Sequence, residues 1–379
     1  MDSNDVVFFF GAGASAPFGI PTMGQFVIDF ETFLDETADK KEREMYSDIK
    51  QTLETQIHRN VDLEAVFSVI DGIINFDDPE QLGMLALYFF KSNEQRKNFP
   101  NSEHVETCRK LKLKFQNFIR EKCAIPETYS KIETVYRDFF NRFAMELGGD
   151  ILHNRQFRYN PNWIIFTTNY DTCLEYYWCE VVQAEFDTNF KWDSRLRRSI
   201  LQPNNILVER QRVIKLFKLH GSVNWLVEGK TKDVVEVQER GSSFLGRDYT
   251  EELMLYPIAE KKLYLEPYIS MLVRLNRELK RKKIWLVVGY SFNDPVIQEI
   301  FRKNWSVSKQ LILVHPKATE IINKKLSGIK VEPVEKYFGL TKSDLEVSRT
   351  KERIDYRQVN HQIIHKLKEP IFAWNQDPI

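Results

Sequence analysis

A chain of 379 residues is long enough for two or three structural units, which excludes a single small domain. Hydrophobic residues make up 42% and charged residues 28%, a balance that supports a large core and excludes chain-wide disorder. Lys plus Arg equals Asp plus Glu at 54 each, so no net field gathers nucleic acid, and any such contact would need a local basic patch.

The first predicted element is a strand, Val6 to Phe10, running straight into Gly11-Ala12-Gly13-Ala14-Ser15. A short, continuous apolar run is typical of a parallel strand covered on both faces. Phe18-Gly19-Ile20-Pro21 reads as a rigid loop, because Pro21 restricts its predecessor to extended geometry. From about residue 25 to 158 the spacing is helical: Phe30 to Ile57, Asp62 to Ile74, Pro79 to Phe90, Glu103 to Lys122 and Pro126 to Leu147. No alternating segment interrupts this stretch, so it reads as a helical insertion, with Asp62 as the acidic first-turn residue of one helix.

Strand patterns then return. Trp163 to Thr167 is apolar and leads through Asn169-Tyr170-Asp171 into a helix containing Leu174 and Tyr177. Val213 to Leu219 alternates apolar and basic residues and ends at His220-Gly221. A strand over Glu252 to Ile258 precedes an amphipathic helix from about Tyr268 to Lys282. Ile284 to Val288 is a strand ending in Gly289-Tyr290-Ser291-Phe292-Asn293-Asp294, with Asp294 placed to cap a helix whose first residue is Pro295. Leu311 to Val314 is the last core strand, followed by His315-Pro316. Strands alternating with helices predict an α/β fold with a Rossmann-like, doubly wound parallel sheet and a large helical insertion. The expected units are 1–24 with 159–330 as the α/β domain, 25–158 as the insertion, and 331–379 as a peripheral extension.

Cys108, Cys123, Cys173 and Cys179 form no CxxC pair, which argues against a disulfide framework and a structural zinc site; Cys173 and Cys179 are expected as buried free thiols. The first residues lack a signal-peptide pattern, and no apolar run reaches the roughly 20 residues of a membrane span, so a cytoplasmic location is expected.

Ligands of open parallel sheets bind beyond the carboxyl ends of the strands. The polar clusters of this sequence all fall at such ends. Gly11 and Gly13 permit a tight turn and close approach of backbone N–H groups to a pyrophosphate. The full GxGxxG pattern is missing, because Ala16 stands at the third glycine position. Thr167-Thr168-Asn169-Tyr170-Asp171 offers two candidate caps for one helix, leaving one polar group over. His220 is suited to proton transfer near neutral pH. Taken alone, each cluster also has a purely structural reading as a tight turn, a helix cap or a packed histidine.

The succession GAGAS with a downstream GIP, then TTNYD, HG and GYSFND resembles the sirtuin superfamily over residues 1–24 and about 160–320. That resemblance implies a Rossmann-like NAD-binding domain with Asn169 and His220 as catalytic residues. It also implies NAD+ contacts at Gly11, Ala12, Gly13, Ser15, Pro21, Thr168, Asp171, Gly289, Ser291 and His315, the last at the adenosine end. Two departures separate the chain from deacylating sirtuins. Thr22-Met23-Gly24 follows GIP in place of Asp-Phe-Arg, and no cysteine beyond Cys179 is available for a zinc module. With its helical insertion, the layout resembles the sirtuin-like NAD+ hydrolases of bacterial antiphage defence, most of all the effector paired with a HerA-type ATPase. The expectation is a homo-oligomeric, metal-independent NADase that depletes NAD+ in abortive infection. An NAD-dependent protein deacylase and a non-catalytic NAD+/ADP-ribose sensor are the alternatives.

Overall fold

The structure, a computed structural model, describes residues 5–57, 63–76, 101–123, 129–146, 162–184, 186–194, 198–208, 213–228, 233–236, 249–254 and 266–334. These fall into two units.

The first unit is built on seven parallel strands in the order β12-β11-β10-β1-β2-β6-β3. They are β1 (Val6–Phe10), β2 (Ile164–Thr167), β3 (Phe186–Asp187), β6 (Ile214–Lys218), β10 (Ile284–Val288), β11 (Gln310–Val314) and β12 (Val331–Val334). β1 is central, with Val7 opposite both Trp285 of β10 and Ile164 of β2. All five residues of β1 are buried because both faces are covered. On one face, Val7 and Phe9 join Phe166, Phe217, Trp285, Val287, Leu311 and Leu313 in a continuous core. On the other, Phe8 and Phe10 meet Phe139 and Phe140, edge-on or tilted at 5.8–6.3 Å between ring centres. Phe139 and Phe140 belong to the helix Tyr129–Glu146, so the helical stretch 25–158 divides: residues 25–123 lie in the second unit, and this helix covers the sheet. β12 likewise carries the sheet past residue 330, pairing with β11 from Leu311↔Val331 to Val314↔Val334. The remainder of the expected extension, 335–379, lies outside the described residues.

The chain contains a second, antiparallel sheet that the sequence reading did not predict. Its order is β4-β5-β8-β7-β9: β4 (Phe190–Asp193), β5 (Arg198–Leu201), β7 (Gly221–Glu228), β8 (Val234–Glu236) and β9 (Tyr249–Met254). β9 occupies the described part of the strand expected over 252–258, and that strand is antiparallel. β6 ends at Lys218 and β7 begins at Gly221, so the turn through Leu219 and His220 carries the chain from one sheet into the other. Gly221 makes this corner at φ 83°, a conformation with a low cost only for glycine.

The second unit packs helices α1 (Met23–Thr37), α2 (Lys40–Ile57), α3 (Leu63–Ile74) and α4 (Ser102–Lys122) around Phe30. Its ring lies 5.2–5.7 Å from those of Tyr46, Phe67, Phe115 and Phe118. The sequence pattern suggested one helix across Phe30 to Ile57, but the chain breaks at Ala38-Asp39. There the Asp39 carboxylate accepts from Glu42 N–H at 3.0 Å, and Glu42 Oε2 accepts from Asp39 N–H at 2.9 Å. This reciprocal box starts a new helix. The helix expected over 79–90 lies outside the described residues.

Candidate functional site

Strand connections run to one side of β1 toward β2 and β6, and to the other toward β10 and β11. The carboxyl ends of β1 and β10 therefore flank the topological switch point, where open α/β sheets bind their ligands.

Two glycine turns meet there. Gly11 N–H donates to the Val288 carbonyl and Gly13 N–H to the Gly289 carbonyl, both at 2.9 Å. A Cβ on Gly11 would lie 2.7 Å from the Gly289 carbonyl oxygen, and one on Gly13 would lie 2.8 Å from Gly289 Cα. The glycines are thus required by the meeting of the two turns themselves. Gly289, at φ 66°, has no room either: its Cβ would come within 2.3 Å of Ala14 N. Ala12 opens a short 3-10 turn, which the Ala14 and Ser15 N–H groups close onto the Gly11 and Ala12 carbonyls. The N–H groups of Gly13 and Ser15, expected to face a pyrophosphate, are therefore already engaged within the protein.

Asn169, just past the end of β2, reaches across to this junction. Its amide nitrogen donates to the Gly11 carbonyl at 3.0 Å and to Ser15 Oγ at 2.8 Å. Its Oδ1 is buried and has no hydrogen-bond partner among the described residues. An orphaned buried acceptor costs about 1–3 kcal/mol, a cost that a bound donor would relieve. Of the two candidate caps, Asp171 bonds a free backbone N–H, accepting from Cys173 at 3.0 Å, although the cap position itself falls on Thr172, whose side chain makes no capping bond. Thr168 extends the ladder through its N–H to the Phe10 carbonyl. Beyond Asp171 the chain forms Cys173–Glu175 and then a π-helical turn, Tyr176–Val182. That turn leaves Cys179 exposed, whereas Cys173 is buried as expected.

His220 lies at the corner between the sheets, 9% exposed, with Nε2 3.2 Å from Asp294 Oδ2. The other oxygen of Asp294 accepts from the N–H groups of Val296 and Ile297, capping the helix Pro295–Asn304. Asp294 was legible in the sequence as that cap; its second role, toward His220, was not. Ser291 is half-buried in the same loop. His315 follows β11, where its Nδ1 accepts from Lys317 N–H at 3.0 Å. Burial, helped by Lys317, lowers its pKa and favours the neutral imidazole. Pro21 is the first residue of the helical unit. Direct contacts thus join Gly11, Gly13, Ser15, Asn169 and Gly289, while His220 is tied to the Gly289–Asp294 loop through Asp294.

The sequence reading also passed over Lys218. This lysine is 2% exposed on β6 and donates to the carbonyls of Tyr170 and Asp171 and to Glu175. Its signal was a lysine within an otherwise buried strand, where unpaired lysines are rarely found. Among the described residues no group of His, Cys, Asp and Glu could hold a metal ion, and no helix is long and apolar enough to cross a membrane.

Comparison with known proteins gives three results. Residues 164–334 match the model of the SIR2-like domain, a little under half of the chain. No curated protein matches. Solved structures with a similar fold include a Sir2 homologue mutant in complex with ADP-ribose, 15% identical, covering 96% of this chain and 94% of that one, with a TM-score of 0.41. They also include a Sir2 homologue–NAD complex, 14% identical over 96% of this chain and 90% of that one, TM-score 0.38. A Sir2–p53 peptide–NAD+ complex is 13% identical over 88% of each chain, TM-score 0.37. The matched segment runs from β2 to β12 and contains the Asn169 loop, the His220 corner and the Gly289 turn, so this part of the chain is similar to the SIR2-like domain.

Proposed function

We propose that this protein is an NAD+ hydrolase, which uses water to convert NAD+ into nicotinamide and ADP-ribose with release of a proton. The observation that carries the reading is Asn169: two donated hydrogen bonds fix its amide, and its carbonyl oxygen is left buried without a partner. A ribose hydroxyl or the attacking water satisfies that oxygen. Breaking the nicotinamide–ribose bond passes through an oxocarbenium-like state, as in glycoside hydrolysis. Nicotinamide departs neutral, so little acid assistance is needed, and the protein's tasks are to hold the ribose, admit one water and take up its proton. His220 is the general base. An ionised Asp294 holds the Nε2 proton of the imidazole and so places the accepting lone pair on Nδ1. The Ala12 backbone receives the pyrophosphate, Thr168 and Asp171 shape the ribose end, and Gly289, Ser291 and His315 face the adenosine end.

A hydrolase that drains NAD+ needs control. Assembly into a homo-oligomer and activation by a HerA-type ATPase, within cytoplasmic antiphage defence, fit that need, with the helical unit as the contact surface. The reading is tested by nicotinamide release from NAD+ with the purified chain, alone and with its genomic neighbour, beside Asn169→Ala and His220→Ala. Release by the wild type without any acylated peptide, lost in both variants, is expected. NAD+ bound but never cleaved would overturn the hydrolase in favour of a sensor, and cleavage only with an acylated peptide would make it a deacylase.

A further inference from the structure

Behind the Asn169 loop lies a buried polar cluster that the proposed chemistry does not use. Lys218 Nζ donates to the Tyr170 carbonyl at 3.2 Å, to the Asp171 carbonyl, and to Glu175 Oε1 at 2.9 Å. An ammonium has three donors, and here each has an acceptor. Two of those acceptors are backbone atoms of the loop that carries Asn169. The third, Glu175, supplies the opposite charge that a buried ammonium requires. The Tyr170 carbonyl also accepts from Ser222 Oγ at 3.2 Å and from Val223 N–H at 3.1 Å. Leu219 N–H reaches the Thr167 carbonyl at 2.8 Å. Residues 218–223, which include His220, therefore grip the backbone of residues 167–171, which includes Asn169, at several points.

We propose that Lys218 is a positioning residue for the NAD+ site, fixing the Asn169 loop against the His220 corner through the carbonyls of Tyr170 and Asp171. This rests on the hydrolase reading for its kinetic consequence but not for its structural one. Asn169 is anchored to Gly11 and Ser15 through its side chain alone. Without Lys218, the backbone beneath it loses two charge-assisted hydrogen bonds, and the loop that carries the amide is held less firmly against the His220 corner. A lysine that merely neutralised Glu175 would leave turnover untouched once the protein had folded.

The test compares Lys218→Met, Lys218→Arg and Glu175→Gln in the full chain, by amide hydrogen exchange and by steady-state kinetics with NAD+. In Lys218→Met, exchange rises in the peptide spanning 168–175 while peptides of β1 and β10 keep wild-type protection. The kcat falls about tenfold or more, KM for NAD+ changes by less than about threefold, and Lys218→Arg recovers part of the loss. Glu175→Gln removes the anion while keeping the shape, and gives the same pattern more weakly. It stands in if Lys218→Met does not fold. Wild-type exchange at 168–175 in the folded variants overturns the proposal, whether or not the chain releases nicotinamide. So does raised local exchange with an unchanged kcat. A wild type that never releases nicotinamide overturns the hydrolase reading, while exchange still decides the structural role of Lys218.

Discussion

Replacing Asp294 with Asn separates two functions carried by one side chain. Oδ1 caps the helix Pro295–Asn304 and Oδ2 holds His220. Asn caps nearly as well as Asp, and the lost anion at the helix N-terminus costs roughly 0.3–1 kcal/mol, so folding loses less than about 1 kcal/mol. The effect on His220 is larger. A hydrogen bond to a charged group is worth about 1.5–3 kcal/mol, and this one strengthens as the imidazole gains a proton in the transition state. Expressed there, it corresponds to a fall in kcat of about tenfold to 150-fold. Asp294→Ala adds the loss of the cap, about 1 kcal/mol of stability, to the same kinetic defect. Thermal melts and initial rates of nicotinamide release, measured on the same samples across pH, separate the two. A well-folded Asp294→Asn variant with wild-type kcat at every pH refutes the assignment of Asp294 as the group that orients His220.

Burial, its largest cause, raises the Glu236 carboxyl from 4.5 to about 7; the nearby Glu175 adds to the rise, while Lys218 and Asn224 oppose it. A carboxyl with a raised folded pKa contributes stability that is complete below its unfolded pKa and is lost as pH climbs through about 7. Glu236→Gln should therefore flatten the pH dependence of unfolding free energy between about pH 4.5 and 7, by up to roughly 3 kcal/mol; a variant with the wild-type slope would contradict this. Gly289→Ala places a Cβ against the Ala14 nitrogen at a positive φ and should cost at least about 2 kcal/mol by urea denaturation, whereas the open position Gly24 should accept Ala with little change. Phe10→Ala removes a fully buried ring packed against Tyr136, Phe139 and Phe140, with an expected loss of about 3–5 kcal/mol in the same assay.

Periodicity and strand-end chemistry carried much of the fold into the sequence. β1, β2, β10 and β11 are short, mostly apolar runs, β6 alternates apolar and basic residues, and each ends in a residue cluster that a strand has no use for. The Asp294 cap was legible because Pro295 follows it. What escaped was information held between distant segments. β12 contains Glu332 and Pro333 and lacks an apolar run, so only its pairing with β11 reveals it. The antiparallel sheet is assembled from segments of mixed polarity between 190 and 254, whose register is set by partners rather than pattern. The helix Tyr129–Glu146 resembles its helical neighbours in sequence, and only the rings it meets assign it to the sheet. Residue types and motif order pointed to Asn169 and His220 as candidates, but not to the partners that orient them. The glycines were legible as a tight turn, but not as the close neighbours of the Gly289 turn that they are.

The central strand has a consequence for how the protein is made. β1 comprises five apolar residues whose partners begin at residues 164 and 284. On the ribosome, Val6–Phe10 emerges long before either neighbour: one of its edges stays open until Ile164–Thr167 has left the exit tunnel, and the other until Ile284–Val288 has. Such a segment, β-prone and uncharged, is the kind that pairs with stray copies of itself. The helices between residues 23 and 122, by contrast, bury Phe30 against partners that have all been made by Phe118 and can form while synthesis continues. The strand at the heart of the sheet is thus the one left waiting longest during translation, and the yield of soluble protein should depend more on shielding those five residues than on any other part of the chain.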